Sequence, residues 1–351
     1  MEQKVKICAR FDASQALGGG HAIRSLCLLE QIQTDHNFKS EDITLLVNPE
    51  AHHTLSVFNG RAYRVHVIPP NNDDIDSFRH HISGCRLFLL DHYNWDIIKE
   101  TRARGWADNI FVIDDLANRQ HECDFLLDQT LGRRRADYLN LTPRHTQCYL
   151  GPKWSLTRPQ FEHHRAKSLH RRSLISQVEH VLISAGLTDP ANATSLYLET
   201  LKYMNFTGKC TVLLGEQSPH YQHVRAMVES YSFPILLHCN VKEMAALMTE
   251  VDFALGTAGS SVWERCVMGL PSATVVVAEN QAMISRNVEA AGAGIDLGPV
   301  EHFLARDAAL TLKKVFNNQH ILFHMSEKAA TLCKGEGPQK ISLDIGGAIS
   351  T

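Results

Sequence analysis

The chain has 351 residues, 44% hydrophobic and 21% charged, ordinary globular values that exclude collagen-like, coiled-coil and largely disordered chains. Its length fits two α/β-sized domains, with one large domain as the alternative. Thirty-five Lys and Arg against 38 Asp and Glu give a formal charge of −3, so no overall positive field draws in nucleic acid or an anionic membrane.

The first residues, MEQKVKICARFDAS, contain no apolar core of signal-peptide length, and no run approaches the ~18 apolar residues of a membrane-spanning helix. A cytoplasmic protein without membrane contact is expected. Short apolar runs at 5–9, 43–47, 63–68, 86–90 and 110–113 read as strands, each followed by a loop and usually a helical pattern. That alternation predicts βαβ units and a parallel sheet. It resumes with strands at 180–184, 210–214, 235–238, 252–255 and 273–278, separated by helical patterns such as 192–204 and 241–249. The prediction is therefore an α/β fold of two Rossmann-like, doubly wound halves. The polar, basic stretch 161–177, FEHHRAKSLHRRSLISQ, lacks strand character and reads as a solvated interdomain helix. This places an N-terminal domain at 1–165, a second at 175–335 and a loose, glycine-rich tail at 336–351. In open parallel sheets ligands bind beyond the carboxyl ends of the strands, so the expected active site is the cleft between the two domains.

The loops after the strands carry the candidate chemistry. The first strand runs through Arg10 and Asp12 into Leu17-Gly18-Gly19-Gly20-His21-Ala22-Ile23-Arg24. This is not the dinucleotide fingerprint, since Ile23 stands where a last glycine is needed, and it lacks a P-loop lysine. Two readings stand for this turn: a ligand approaching the glycine backbone with His21 as a neutral base near a helix N-terminus, or a flexible turn with a surface histidine. After strands 86–90 and 110–113 come Asp91-His92-Tyr93 and Asp114-Asp115; the paired aspartates read as local caps before a cation site. In the second half, Gly186-Leu187-Thr188-Asp189-Pro190 reads as a helix start, with Thr188 or Asp189 as cap and Pro190 at the first helical position. Gly259-Ser260-Ser261 puts small residues and hydroxyls where a diphosphate would sit. Glu264, one turn on, suits a ribose diol, and Asn280-Gln281 offer amides for sugar hydroxyl and acetamido groups. A plain capped helix and ordinary turn residues would look similar.

Nine cysteines without a C-x-x-C pair read as reduced thiols, mostly in the core. The histidine doublets 52/53, 80/81 and 163/164 read as solvated rather than metal-binding, since nothing fixes ligand geometry.

Taken in order, Arg10-x-Asp12-x-Ser14, Gly18-x-Gly20-His21-x-x-Arg24, Asp91-His92-Tyr93-x-x-Asp96, the run from Asp114-Asp115-Leu116-Ala117-Asn118-Arg119 to Asp128-Gln129, Leu150-Gly151-Pro152, Arg158-Pro159-x-Phe161 and Trp263-Glu264-Arg265-Cys266 resemble the pseudaminic-acid-pathway UDP-sugar hydrolases. The resemblance runs from about residue 7 to about residue 295. It implies a GT-B fold, with the nucleotide held mainly by the C-terminal domain, and hydrolysis of UDP-2,4-diacetamido-2,4,6-trideoxy-β-L-altropyranose by inverting C–O cleavage. It further implies His21 as the general base, with Tyr93 a second active-site residue. Arg10, Asp12, Gly20, Arg24, Gly186, Asp189, Gly259, Ser260, Ser261, Glu264, Asn280 and Gln281 are the expected substrate-binding residues. UDP leaves as a stabilised anion, so neither a protonated acid nor a metal or other cofactor is expected, and the partners are the UDP-sugar and water, with the protein a monomer. Two positions depart from the pattern: Leu187 stands where a second glycine is usual, and Thr130 where asparagine is. The competing readings are a glycosyltransferase of the same fold, a UDP-sugar 2-epimerase and a catalytically silent nucleotide-sugar-binding regulator.

Overall fold

The computed structural model describes residues 5–14, 18–52, 63–239 and 241–350; Leu17 of the glycine turn and His53 lie outside them. The chain divides into two compact units, Met1–Leu156 with Glu336–Thr351, and Thr157–Gly335.

The first unit is built on a seven-stranded parallel sheet, order β3-β2-β1-β4-β5-β6-β7. Its strands are β1 Val5–Phe11, β2 Ile43–Val47, β3 Arg64–Val67, β4 Cys85–Asp91, β5 Ala107–Ile113, β6 Phe125–Asp128 and β7 Gln147–Leu150. β2 is buried at every residue and β4 at all but one, as expected of parallel strands covered on both faces. Sequence order reverses between β1 and β4, which pair directly, Phe11 opposite Asp91. The loops after these two strands therefore flank the switch point at which doubly wound sheets bind ligands. Helix Gly20–Asp35 covers one face, burying Ala22, Leu26 and Leu29.

The second unit has a six-stranded parallel sheet, order β10-β9-β8-β11-β12-β13, from β8 His180–Ser184, β9 Lys209–Leu213, β10 Ile235–His238, β11 Phe253–Thr257, β12 Ser272–Val276 and β13 Ile295–Pro299. Its switch point lies between β8 and β11, which places the loops carrying Gly186 and Gly259 side by side. β6, β7 and β13 had no counterpart among the expected strands. They are four or five residues long, and Ile295-Asp296-Leu297-Gly298-Pro299 is neither an apolar run nor a clean alternation.

Two boundary expectations are corrected. Residues 161–177 do not link domains: helix Pro159–Arg172 lies wholly within the second unit, and two of its arginines are held by carbonyls of neighbouring helices. Arg165 donates to the carbonyls of Val267, Ala330 and Cys333, and Arg172, 3% exposed, to those of Met248 and Val251. These carbonyls lie at the carboxyl ends of helices Ser261–Val267, Gln319–Leu332 and Met244–Glu250, where a cation meets both unpaired acceptors and the negative end of the dipole. Nor is the stretch after 336 a loose tail. It forms helices Gly337–Asp344 and Gly346–Ser350, and Ile341, Ile345 and Ile349, at four-residue spacing, are buried in the first unit's core. Gly337 permits this return, since a Cβ there would lie 2.5 Å from the Ser155 carbonyl oxygen.

All nine cysteines are free thiols, seven of them buried. No helix among the described residues is long and apolar enough to cross a membrane.

Candidate active site

His21 is the second residue of helix Gly20–Asp35, whose Gly19 cap offers no side-chain acceptor. Its imidazole Nδ1 lies 2.5 Å from Oδ1 of Asp91, the last residue of β4, whose carboxylate is fully buried. Arg24, one turn further along the helix, donates from Nε to Asp91 Oδ2 at 2.6 Å and from Nη2 to Oδ1 at 2.5 Å. Burial alone would raise the Asp91 carboxyl, but the Arg24 guanidinium and His21 hold it well below the usual carboxylate range. The proton between Asp91 and His21 therefore sits on Nδ1, which leaves the Nε2 lone pair as a base.

Tyr93 stands edge-on to His21, ring centroids 4.9 Å apart at 83°, and its hydroxyl donates to Asp115 Oδ2 at 3.1 Å. Burial and the Asp115 charge push its phenol above the ordinary tyrosine value, so Tyr93 stays a protonated donor and packs against the imidazole. Asp115 Oδ2 also takes Arg24 Nη1 at 3.2 Å.

A second histidine–aspartate pair lies beside the first. His92 Nδ1 accepts from the Asn94 backbone N–H, so its proton is on Nε2, which donates to Asp12 Oδ2 at 2.8 Å. Asp12 also receives Arg10 Nη1, whose Nε donates to Asp73 at 2.7 Å. Both nitrogens of His92 are thus engaged, and Arg10, 2% exposed, meets carboxylates rather than solvent. Arg10 and Arg24, both expected to face substrate, are instead buried within these networks. Gly20 opens the His21 helix.

Asp114 and Asp115 diverge. Asp114 accepts from Arg119, the Ala117 backbone and the Tyr138 hydroxyl, which is the local capping expected of it. Behind it, His121 Nδ1 lies 2.8 Å from Glu100, both fully buried. Burial alone would lower the His121 value, but Asp114 and Glu100 raise it to about 8. Among the described residues no group of three or more His, Cys, Asp or Glu is arranged to hold a metal ion.

In the second unit Gly186 has φ +105° with open space at its Cβ position, and Leu187 is 38% exposed. Asp189 is buried and caps helix Ala193–Tyr203, accepting from the Ala193 and Thr194 N–H groups at 2.9 and 2.8 Å. That helix begins at Ala193, not at Pro190: Asp189 and Asn192 both have positive φ, and an extra turn of chain intervenes. Asp189 is therefore committed to the backbone. Gly259 and Ser260 lead into helix Ser261–Val267. Ser261 Oγ accepts from Arg265 Nη1 at 3.1 Å, and Arg265 Nη2 donates to the Thr257 carbonyl at 2.8 Å. Arg265 is fully buried with no carboxylate within ion-pair distance among the described residues, and burial pulls its guanidinium below the ordinary arginine value. Glu264 Oε1 accepts from Arg158 Nε and Nη2 at 3.2 and 3.0 Å. Asn280 and Gln281 lie in the first turn of helix Glu279–Ala290 rather than in a loop. Gln281 Oε1 accepts from Val277 N–H, and its amide nitrogen would lie 3.9 Å from a Cβ on Gly259, so these two predicted segments do meet.

The comparisons with known proteins agree with this architecture. No family model matches the chain. The chain is 21% identical over 281 residues to the uncharacterized protein MJ1062 of Methanocaldococcus jannaschii, covering 79% of this chain and 56% of that one. It is 22% identical over 200 residues to the spore coat polysaccharide biosynthesis protein SpsG of Bacillus subtilis, covering 55% and 56%. The matches thus span little more than half the length of either relative. Among solved structures it is similar to MurG of Acinetobacter baumannii, TM-score 0.68 at 13% identity over 97% of this chain and 99% of that one. It is also similar to Os79 of O. sativa in complex with U2F and trichothecene, TM-score 0.66 at 14% identity over 98% and 100%. The fold is GT-B-like: two doubly wound α/β halves.

Asp91, Asp115, Arg158 and Arg265 were not singled out as site residues from the sequence. Asp91 carried a signal, since an aspartate closing an apolar strand with His and Tyr behind it sits where a site forms. Arg158 and Arg265 carried only their place in the resemblance motifs.

Proposed function

We propose that the protein hydrolyses a nucleotide-activated sugar, UDP-2,4-diacetamido-2,4,6-trideoxy-β-L-altropyranose, to UDP and the free sugar. The observation that carries this reading is the His21–Asp91 pair, in which a clamped carboxylate leaves Nε2 able to take a proton. In the proposed step Nε2 accepts a proton from water, the water oxygen bonds to the anomeric carbon with inversion, and the C–O bond to the diphosphate breaks with its electron pair leaving on UDP. Asp91 stabilises the imidazolium that forms. UDP leaves as a stabilised anion, so no protonated acid is required; Tyr93, held protonated against Asp115, supports the base instead.

The nucleotide is assigned to the second unit. The Gly259-Ser260-Ser261 turn offers N–H and O–H donors, and Arg265 supplies a buried positive charge with no carboxylate within ion-pair distance among the described residues, so a diphosphate would meet compensation already in place. On this reading the reaction needs no metal, and activity is unchanged by EDTA. The similarity to a polysaccharide-biosynthesis protein and to structures holding UDP-sugar analogues supports the substrate class.

The test is NMR of the purified protein with the UDP-sugar. Release of UDP and free sugar by wild type, lost in His21→Ala, supports the reading. An intact substrate that turns over only when a second hydroxyl compound is added would instead make the protein a transferase, the role to which its structural neighbours lend weight.

A further inference from the structure

Arg24 was expected to touch substrate, and its surroundings argue otherwise. The residue is 5% exposed, and each of its three guanidinium nitrogens is committed: Nε and Nη2 to the two oxygens of Asp91, Nη1 to Asp115. Nη2 also lies 3.2 Å from His21 Nδ1. The fork therefore grips the carboxylate that holds the histidine and ties it to the one that receives the Tyr93 hydroxyl. Resting on the reading of His21 as general base, we propose that Arg24 is a positioning residue for that base and sets its protonation through Asp91.

The charged and titratable groups facing His21 are Asp91 from β4, Arg24 from its own helix, Tyr93 from the loop after β4 and, through Arg24 and Tyr93, Asp115 from the loop after β5. With the imidazole neutral these groups sum to −1, and with the imidazolium formed they sum to zero. The cluster is neutral when the base has taken its proton, which favours the transition state. Without Arg24 the sum becomes −2. The imidazole then binds its proton more tightly than it does beside Arg24, and the buried Asp91 loses the fork that fixes its plane. Removing the Asp91 charge instead acts in the opposite direction.

The experiment is a titration of the His21 imidazole by heteronuclear NMR in the intact chain, with the resonance assigned from His21→Gln, in wild type, Arg24→Gln, Arg24→Lys and Asp91→Asn. Relative to wild type, Arg24→Gln should raise the His21 midpoint by about one pH unit, a tenfold change in proton affinity, and Asp91→Asn should lower it by a similar amount. Arg24→Lys, which keeps the charge but not the fork, should give a smaller rise. Kinetically, Arg24→Gln should lower kcat at pH 7 about tenfold or more and move the acid limb of the pH profile upward, with KM within about threefold of wild type. A His21 midpoint that does not move, or KM rising with kcat intact, overturns the inference and returns Arg24 to substrate binding. If Arg24→Gln fails to fold by circular dichroism, Arg24→Lys and Asp91→Asn carry the same test through their opposite signs. The titration needs no turnover: absence of hydrolysis by wild type would sink the proposed reaction, while the NMR result still decides the role of Arg24.

Discussion

The carboxyl edges of the two sheets are built from opposite materials. At the first, Asp12, Asp73, Asp91, Asp114 and Asp115 interlock with Arg10, Arg24, Arg119 and two histidines, and each arginine has a carboxylate. At the second, Arg265 is buried without one among the described residues, behind a turn of glycine and serines. An edge with compensated charges has no need of a ligand's charge, and it holds a proton-accepting group in one tautomer and orientation. An edge with an uncompensated cation is completed by an anion. The difference divides the proposed work: proton transfer at the first unit, anion binding at the second.

That division can be broken at either edge. The largest effect expected is from His21→Ala, which should lower kcat about 10³-fold while leaving UDP affinity by calorimetry unchanged; loss of UDP binding in step with activity would erase the distinction. Next, Ile345→Ala should destabilise the protein by about 3 kcal/mol in urea unfolding, because Ile345 is fully buried where the chain returns to the first unit. A change below about 1 kcal/mol would mean that this helix is not part of the frame beneath the charged edge.

The buried His121–Glu100 pair gives a pH signature confined to the first unit. The folded value of His121 is raised to about 8, above the ~6.5 of an unfolded histidine. Its stabilisation is therefore complete below about pH 6.5 and lost as pH rises through 8, on the order of 2 kcal/mol. Urea midpoints at pH 6 and pH 8.5 should show this loss in wild type and not in His121→Gln; equal losses in both would remove His121 as the cause. Smallest, Ser261→Ala should weaken UDP binding about tenfold by removing one hydroxyl donor to the diphosphate, and should lower the midpoint of thermal unfolding slightly, because Ser261 Oγ also accepts from the buried Arg265. Unaltered UDP affinity would move the anion away from that turn.

The two histidines beside β4 show how far local sequence reached. The glycine-rich strand-to-helix turn before His21 marked it as a candidate but left a neutral base and a surface histidine both open, and only the resemblance favoured the base. His92 lies between two residues of the same site, yet nothing local shows that its Nδ1 takes the Asn94 N–H and its Nε2 meets Asp12, eighty positions away. Basic residues were illegible for the same reason. The resemblance alone assigned Arg24 and Arg10 to substrate, and 161–177 read as a solvated helix, whereas a guanidinium's surroundings depend on acceptors that other segments supply, here Asp91, Asp115, Asp12 and Asp73.

What the sequence determined by itself was the alternation of buried strands with helices, the two-part doubly wound plan and the loops at strand ends where chemistry gathers, since these depend on periodicity and turn residues within a few positions. Tertiary structure alone decided which carboxylate holds which histidine, which arginines are neutralised, and that Ile341, Ile345 and Ile349 close the first unit's core. Those outcomes depend on charge pairing and burial between segments 70 to more than 300 residues apart, where desolvation decides whether an ion is paired and no local pattern records it.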